Sequence, residues 1–273
     1  MGDRELVERT GEPVTTDRIV ADLRELGVEA GDTVMVHSSL SEIGWTVGGA
    51  QAVVEGLQRA VTESGTVVVP THTPQYTDPG GWSNPPVPED WYETISTARP
   101  AYRPDVTPSY GVGVIPECLR TYPESVRSRH PVFSFGAWGD EAESVVSGHS
   151  YDDGLGENSP LREVYDRGGS VLLLGVGHEA NTSVHLAEYR ADIATDRIEN
   201  TVPVLREGAR VMVTYEDIET STDDFAELGA AFEEQVGVRR GTVGEAEARL
   251  LDQPSLVDFA VEWFEENRER AQV

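Results

Sequence analysis

The residues best suited to acid–base chemistry lie in Gly175-Val176-Gly177-His178, then Asn181-Thr182, then His185-Leu186-Ala187-Glu188. Imidazole titrates near neutral pH, and a carboxylate beside it can hold it in one orientation. The three-residue spacing of His185 and Glu188 puts both on one face of a helix. They follow Ser170 to Val176, the plainest buried strand in the chain, and open α/β sheets place ligands beyond the carboxyl ends of their strands. The plain alternative is a helix-surface His–Glu pair with no task. A second set is His37-Ser38-Ser39-Leu40, followed by Gly44 and Gly48-Gly49. Hydroxyls and backbone N–H groups between a strand and a helix suit a phosphate or a thioester carbonyl. They also suit an ordinary turn and cap. A third is Thr107-Pro108-Ser109-Tyr110-Gly111-Val112-Gly113 ahead of a helix, which reads as an anion or acyl-oxygen site or as a tight turn.

Other chemistries find less support. The Gly-Lys-Ser/Thr element of a phosphate loop and the G-x-G-x-x-G pattern are missing, as is the G-x-S-x-G of a serine hydrolase. Of the six histidines, His37, His72, His130, His149, His178 and His185, none shows H-x-x-x-H or H-E-x-x-H spacing. His178 and His185 are seven residues apart, which leaves a metal-dependent amidohydrolase as an alternative, but no metal is expected. The single cysteine, Cys118, sits in an apolar helix and reads as a small buried residue.

The elements that must position these residues follow the βαβ pattern. Residues 17–29 put Ile19, Val20, Leu23 and Leu26 on one helical face, and Gly27 ends the run. A strand is predicted over 33–37, a helix over 49–63, and a strand over Thr66 to Pro70. Further on, 111–122 opens a helix from a Gly-rich turn. Residues 209–214 read as a strand, and 223–236 and 255–268 as helices, the last with Phe259, Trp263 and Phe264 on an apolar side. Between them, 73–108 is dense in proline, which forbids long regular elements. It also carries Tyr76, Trp82, Trp91, Tyr92 and Tyr102, which a disordered linker would lack. The expected fold is α/β, one domain over 17–268, with a central β-sheet flanked by helices. An irregular Pro/aromatic-rich insertion occupies 73–108, and a tail covers 1–16.

Composition sets outer limits. The 273 residues hold 21 Lys+Arg, every one an arginine, against 49 Asp+Glu, for a formal charge of −28. Such a field opposes nucleic acid and anionic membrane surfaces as partners. Acid excess without lysine reads as the surface of a protein from a halophilic archaeon, where concentrated ions screen the repulsion. A charged start, MGDRELVERT, and one cysteine point to the cytoplasm. The last helix can be core or interface, so an oligomer stays open.

Eight strings in order carry a resemblance: VMVHSSLSEIGWTVGGAQAVVEGL, GTVVVPTHT, WSNPPVPEDWYETI, TPSYGVGVIPECLR, RSRHPVFSFGAWG, LGENSPLREVY, VLLLGVGHEANTSVHLAEYRA and GTVGEAEARLL. Over residues 17 to 265 the chain resembles the aminoglycoside 3-N-acetyltransferase family. The resemblance implies an α/β domain that transfers acetyl from acetyl-CoA to the 3-amino group of a deoxystreptamine ring. It implies that His37, Ser38, Ser39 and Leu40 help form the pantetheine and acetyl site, and that Ser109, Tyr110 and Gly111 sit beside the thioester. His185 and Glu188 match the family's H-x-A-E.

The chemistry of the residues agrees with that reaction. A protonated amine cannot attack a thioester, so a base must take a proton; His185 is the expected base, with Glu188 orienting it. The developing oxyanion needs donors, from the Ser109 hydroxyl or from backbone N–H groups in 38–39 or 110–111. No nucleophile is apparent, so direct transfer in a ternary complex is expected. Arg127 and Arg129 are placed on the CoA phosphates, with a surface ion pair as the alternative. Asp78, Trp82, Trp91, Asp223, Asp224 and Glu233 are expected to meet the amine-bearing acceptor, which can be an aminoglycoside or another amine.

Overall fold

The computed structural model describes residues 3–271. In chain order the helices and strands begin with α1 (Asp3–Arg9), α2 (Thr16–Leu26), β1 (Thr33–Ser38), α3 (Leu40–Ile43), α4 (Gly49–Val61) and β2 (Thr66–Pro70). After the insertion's α5 (Tyr92–Ala98) come α6 (Val114–Arg120), β3 (Val126–Arg127), β4 (Phe135–Gly139), α7 (Ala142–Val146), α8 (Pro160–Asp166) and β5 (Ser170–Leu174). The remainder is α9 (His185–Arg190), β6 (Arg197–Arg206), β7 (Ala209–Ile218), α10 (Phe225–Gln235), β8 (Arg239–Val243), β9 (Ala246–Asp252) and α11 (Gln253–Asn267).

Seven strands form one sheet in the order β3-β4-β2-β1-β5-β9-β8. The central β1 runs parallel to β2 and to β5, and the outer strands are antiparallel. Burial on both faces explains why β1, β2 and β5 are near-continuous apolar runs. Alternation along these strands divides the core in two. Val34, Val36, Val67, Val69, Leu172 and Leu174 pack with Ile19, Leu23, Val53 and Leu57 of α2 and α4. Met35, Val68, Val171 and Leu173 pack with Leu186, Phe225, Phe232 and Phe264 of α9, α10 and α11. His37, two residues beyond Met35, shares the second face. The chain leaves β1 for β2 on one side and later enters β5 on the other. The crevice at the carboxyl ends of β1 and β5 is therefore the fold's switch point.

Local signals set the boundaries. The Thr15 hydroxyl accepts from the Arg18 N–H at the start of α2, and Gly27, at φ +109, closes it with its N–H on Leu23 and Arg24 carbonyls. The residues read as a tail are packed: Val14 is buried and donates its N–H to Trp45, and the Thr10 hydroxyl accepts from the Trp45 N–H at 2.7 Å. The insertion is irregular, with single turns at Pro74–Tyr76, Pro79–Gly81 and Glu89–Trp91. It leans on a separate ribbon formed by β6 and β7, through a Tyr102–Val204 bridge. Phe264 of α11 is buried and belongs to the core. Among the described residues no helix is long and apolar enough to cross a membrane.

Candidate active site

Beyond β5 the chain turns at Gly175, whose φ is +68 and where a Cβ would lie 2.5 Å from the Glu42 side chain. The Asn181 side chain then accepts from the Ser183 N–H and starts the turn that leads into α9. His185, the first residue of α9, donates from Nδ1 to Oε2 of Glu188 at 2.5 Å. The imidazole is buried and packs on the Phe225 ring, 4.8 Å between centroids. Its Nε2 has no hydrogen-bond partner among the described residues. A proton fixed on Nδ1 leaves the Nε2 lone pair open to a substrate proton.

Glu188 is 3% exposed and uses both oxygens. Oε1 accepts from Arg268 Nη1 at 2.6 Å and from the Ser221 N–H at 3.1 Å. Arg268 also donates to Asp224, from Nε to Oδ2 at 2.7 Å and from Nη2 to Oδ1 at 2.6 Å. Asp224, expected at the acceptor, thus has both carboxylate oxygens bonded to Arg268 in this structure. Glu233, also expected at the acceptor, is likewise partnered within the chain. It accepts from His178 Nε2 at 3.1 Å, pairs with Arg249 Nε at 2.9 Å, and also pairs with Arg240. Asp223 is exposed, and its side chain has no partner among the described residues.

At the end of β1, His37, Ser38, Ser39 and Leu40 line one pocket of about 600 Å³ with Gly111, Val112 and Val176. The Ser39 N–H donates to Leu174 of β5 at 2.9 Å, which draws the two strand ends together. The Ser38 hydroxyl is buried without a partner among the described residues. His37 is held down to about 3, by burial first and then by the nearby charge of His185. His72, two residues past β2, is also held to about 3, by burial and then by the charges of His185 and His37. Three imidazoles thus converge from the ends of β1, β2 and β5. His72 stands out in no motif; its position at the end of a parallel strand beside β1 was the available signal.

Ser109 does not offer its hydroxyl proton to this pocket. Oγ donates to Glu117 at 2.6 Å and the backbone N–H donates to the same oxygen at 3.0 Å. Burial pushes the Glu117 carboxyl up, but bonds from Arg120 and Ser109 outweigh it and hold it at about 2. Tyr110 N–H is spent on the His72 carbonyl, and Ser39 N–H on Leu174. The N–H groups of Gly111 and Val112 have no partner among the described residues. Tyr110 itself is exposed and, with Trp82, lines a neighbouring pocket of about 480 Å³.

Arg127, expected at the CoA phosphates, is partnered within the chain and lines a cleft beside Arg129. Its guanidinium donates to the Thr71 hydroxyl and carbonyl, to Ser134 Oγ, and to the carbonyls of Pro104 and Thr107. Those bonds use Nε, Nη1 and one N–H of Nη2, and join the insertion to the residues that flank β2 and β4. Arg129 is exposed and lines a cleft with Arg103 and Arg206 that shares no residue with the His37–Leu40 pocket. In the insertion, the Asp78 side chain accepts from the Gly80 N–H and caps the 79–81 turn. Trp82 Nε1 donates to Thr77 Oγ1 at 3.0 Å, and its ring lies under the Arg99 guanidinium. Trp91 is 54% exposed and lines none of these pockets. The sequence reading missed Arg268 and Glu117, whose partnerships depend on folding. Among the described residues no group of three or more His, Cys, Asp or Glu side chains could hold a metal ion.

Comparison with known proteins places this arrangement. A family model described as aminoglycoside 3-N-acetyltransferase matches residues 35–265. A prophage-derived aminoglycoside N(3')-acetyltransferase-like protein of Bacillus subtilis, YokD, is 45% identical over 266 residues, 97% of each chain. Aminoglycoside N(3)-acetyltransferase VII of Streptomyces paromomycinus is 37% identical, with 99% of each chain covered. The crystal structure of YokD superposes with a TM-score of 0.94 at 44% identity, over 97% of this chain and 98% of that one. The structure of AAC-IIIb with CoASH gives 0.84 at 30% identity, over 96% and 100%. AAC-VIa bound to sisomicin gives 0.85 at 33% identity, over 94% and 99%.

Proposed function

The chain belongs to the aminoglycoside 3-N-acetyltransferase family, and on that premise we propose that it transfers acetyl from acetyl-CoA directly to an amino group of an aminoglycoside, the 3-amino group by resemblance. The observation that carries the reading is the buried His185–Glu188 pair, with Nδ1 committed to the carboxylate and Nε2 left free. The family and the CoASH-bound neighbour support acetyl-CoA as co-substrate. The sisomicin-bound neighbour supports an aminoglycoside acceptor.

In this mechanism the acceptor amine gives a proton to His185 Nε2 as its nitrogen attacks the thioester carbon. The C–N bond forms, the C–S bond breaks, and the imidazolium returns the proton to the leaving thiolate. Glu188 stabilises the transient cation. The thioester end of the cofactor lies in the His37–Leu40 pocket, and the N–H groups of Gly111 and Val112 serve as oxyanion donors in place of the Ser109 hydroxyl. Tyr110 and Trp82 wall the acceptor side, and Asp223, whose carboxylate has no partner among the described residues, is the candidate anion for the amine. Dependence on acetyl-CoA supports action in the cytoplasm.

One observation favours a second reading, in which the same transfer acts on a different amine. Asp224 and Glu233 are occupied by arginines, so the acceptor side holds fewer free carboxylates than a polycation would use. A single assay separates the two: CoA release from acetyl-CoA at high KCl, followed with a thiol reagent, across aminoglycosides and simple amines. Release that requires an aminoglycoside supports the first reading; CoA binding with release only for other amines supports the second. His185→Ala should lower turnover about 10²-fold or more.

A further inference from the structure

We infer that Arg268 is a positioning residue for acyl transfer, and that Asp224, Arg268, Glu188 and His185 work as one line of alternating charge that holds the base in its working tautomer. The inference rests on His185 being the base.

The argument starts from burial. A carboxylate as enclosed as Glu188 needs a counter-charge and hydrogen bonds to offset its lost hydration. His185 is neutral when it is ready to act, so it cannot supply that charge in the resting enzyme. The other imidazoles nearby, His37 and His72, are held neutral at about 3. The Ser221 N–H contributes a dipole and no net charge. Arg268 is the cation in contact, at 2.6 Å from Oε1.

The geometry serves direction as well as charge. With Oε1 held by Arg268 and Ser221, Oε2 is left facing Nδ1, which fixes the imidazole proton there. Arg268 is itself fixed by the two bonds to Asp224, by the Ser221 carbonyl at 3.3 Å, and by stacking 3.8 Å over the Phe264 ring. A planar fork can bridge two carboxylates in this way, whereas an ammonium would act as a point charge. The residue caps α11 and lies three positions past the segment matched by the family model, which ends at 265.

The test compares Arg268→Gln, Glu188→Gln and the double variant in kcat, KM for acetyl-CoA, pH profile and thermal unfolding, with an aminoglycoside acceptor the parent enzyme acetylates. Arg268→Gln should lower kcat by about 10- to 100-fold while KM for acetyl-CoA stays within about twofold. Without the guanidinium, the buried Glu188 loses the counter-charge that holds it, so the pH profile of kcat/KM should depart from the parent's. Adding Arg268→Gln to Glu188→Gln should cost almost nothing more, because both break the same link. Multiplying losses, or an Arg268→Gln enzyme with parental kcat and pH profile, would overturn the inference. If Arg268→Gln does not fold, Arg268→Lys takes its place in the same cycle, and added guanidinium should restore part of its kcat; no restoration counts against the inference. His185→Ala separates the premises. Undiminished turnover there removes the base reading itself, whereas its loss beside an unaffected Arg268→Gln removes only the role of Arg268.

Discussion

Replacing Glu188 by glutamine exchanges two acceptor oxygens for one acceptor and one donor. Glu188 accepts at Oε2 from His185, and at Oε1 from Arg268 and Ser221. If the new carbonyl keeps the Oε1 place, the amide NH₂ faces Nδ1 and forces it to accept. The imidazole proton then sits on Nε2, the atom that must receive the substrate proton. If the carbonyl turns to His185, the NH₂ meets the donors of Arg268 and Ser221 in a buried site, at a cost of about 1–3 kcal/mol for the unsatisfied groups. The first arrangement prevails. In serine hydrolases, the equivalent wrong tautomer lowers kcat by about 10⁴. Here no acyl-enzyme step compounds the loss, so we expect about 10³-fold, close to 4 kcal/mol in barrier. Thiol-detected CoA release at saturating acetyl-CoA and acceptor measures it, with a matched unfolding curve as control. A folded Glu188→Gln enzyme within about threefold of the parent kcat would refute the tautomer argument.

Three other outcomes follow from the geometry. His37 and His72 at about 3 and His149 at about 4 sit below the ordinary 6.5, chiefly through burial. The unfolded chain therefore binds more protons between those values, and stability should fall with acidification from pH 6.5 by about 1.4 kcal/mol per pH unit for each. A flat unfolding midpoint from pH 7 to 5 would contradict this. Because the Ser109 hydroxyl is spent on Glu117, Ser109→Ala should change kcat less than about threefold, and a 10²-fold loss would return the hydroxyl to the oxyanion. With a charge of −28, the thermal midpoint should rise as KCl goes from about 0.1 to 1 M, where the Debye length shrinks from about 10 to 3 Å; a falling midpoint would show that self-repulsion is not limiting.

Features set by nearby residues were legible in the chain, and features set across it were not. His185 and Glu188 meet because helical spacing brings them together, and β1, β2 and β5 announce themselves because both faces are buried. By contrast, β8 and β9 read RRGTV and AEARLLD, and their exposed positions break the apolar run. Of β6 and β7 only 209–214 carried a strand signal. Asp224 finds Arg268 across 44 positions, and Arg127 finds Thr71 across 56. With 49 acids and 21 arginines, composition cannot tell which acid is paired and which is free.

Tyr76, Tyr102, Val132, Val202, Val204 and Tyr215 form an apolar cluster apart from the two that sandwich the sheet. That cluster ties the insertion to the β6–β7 ribbon. Substitutions confined to this third cluster therefore leave intact the packing of the strands that lead to His37 and Gly175.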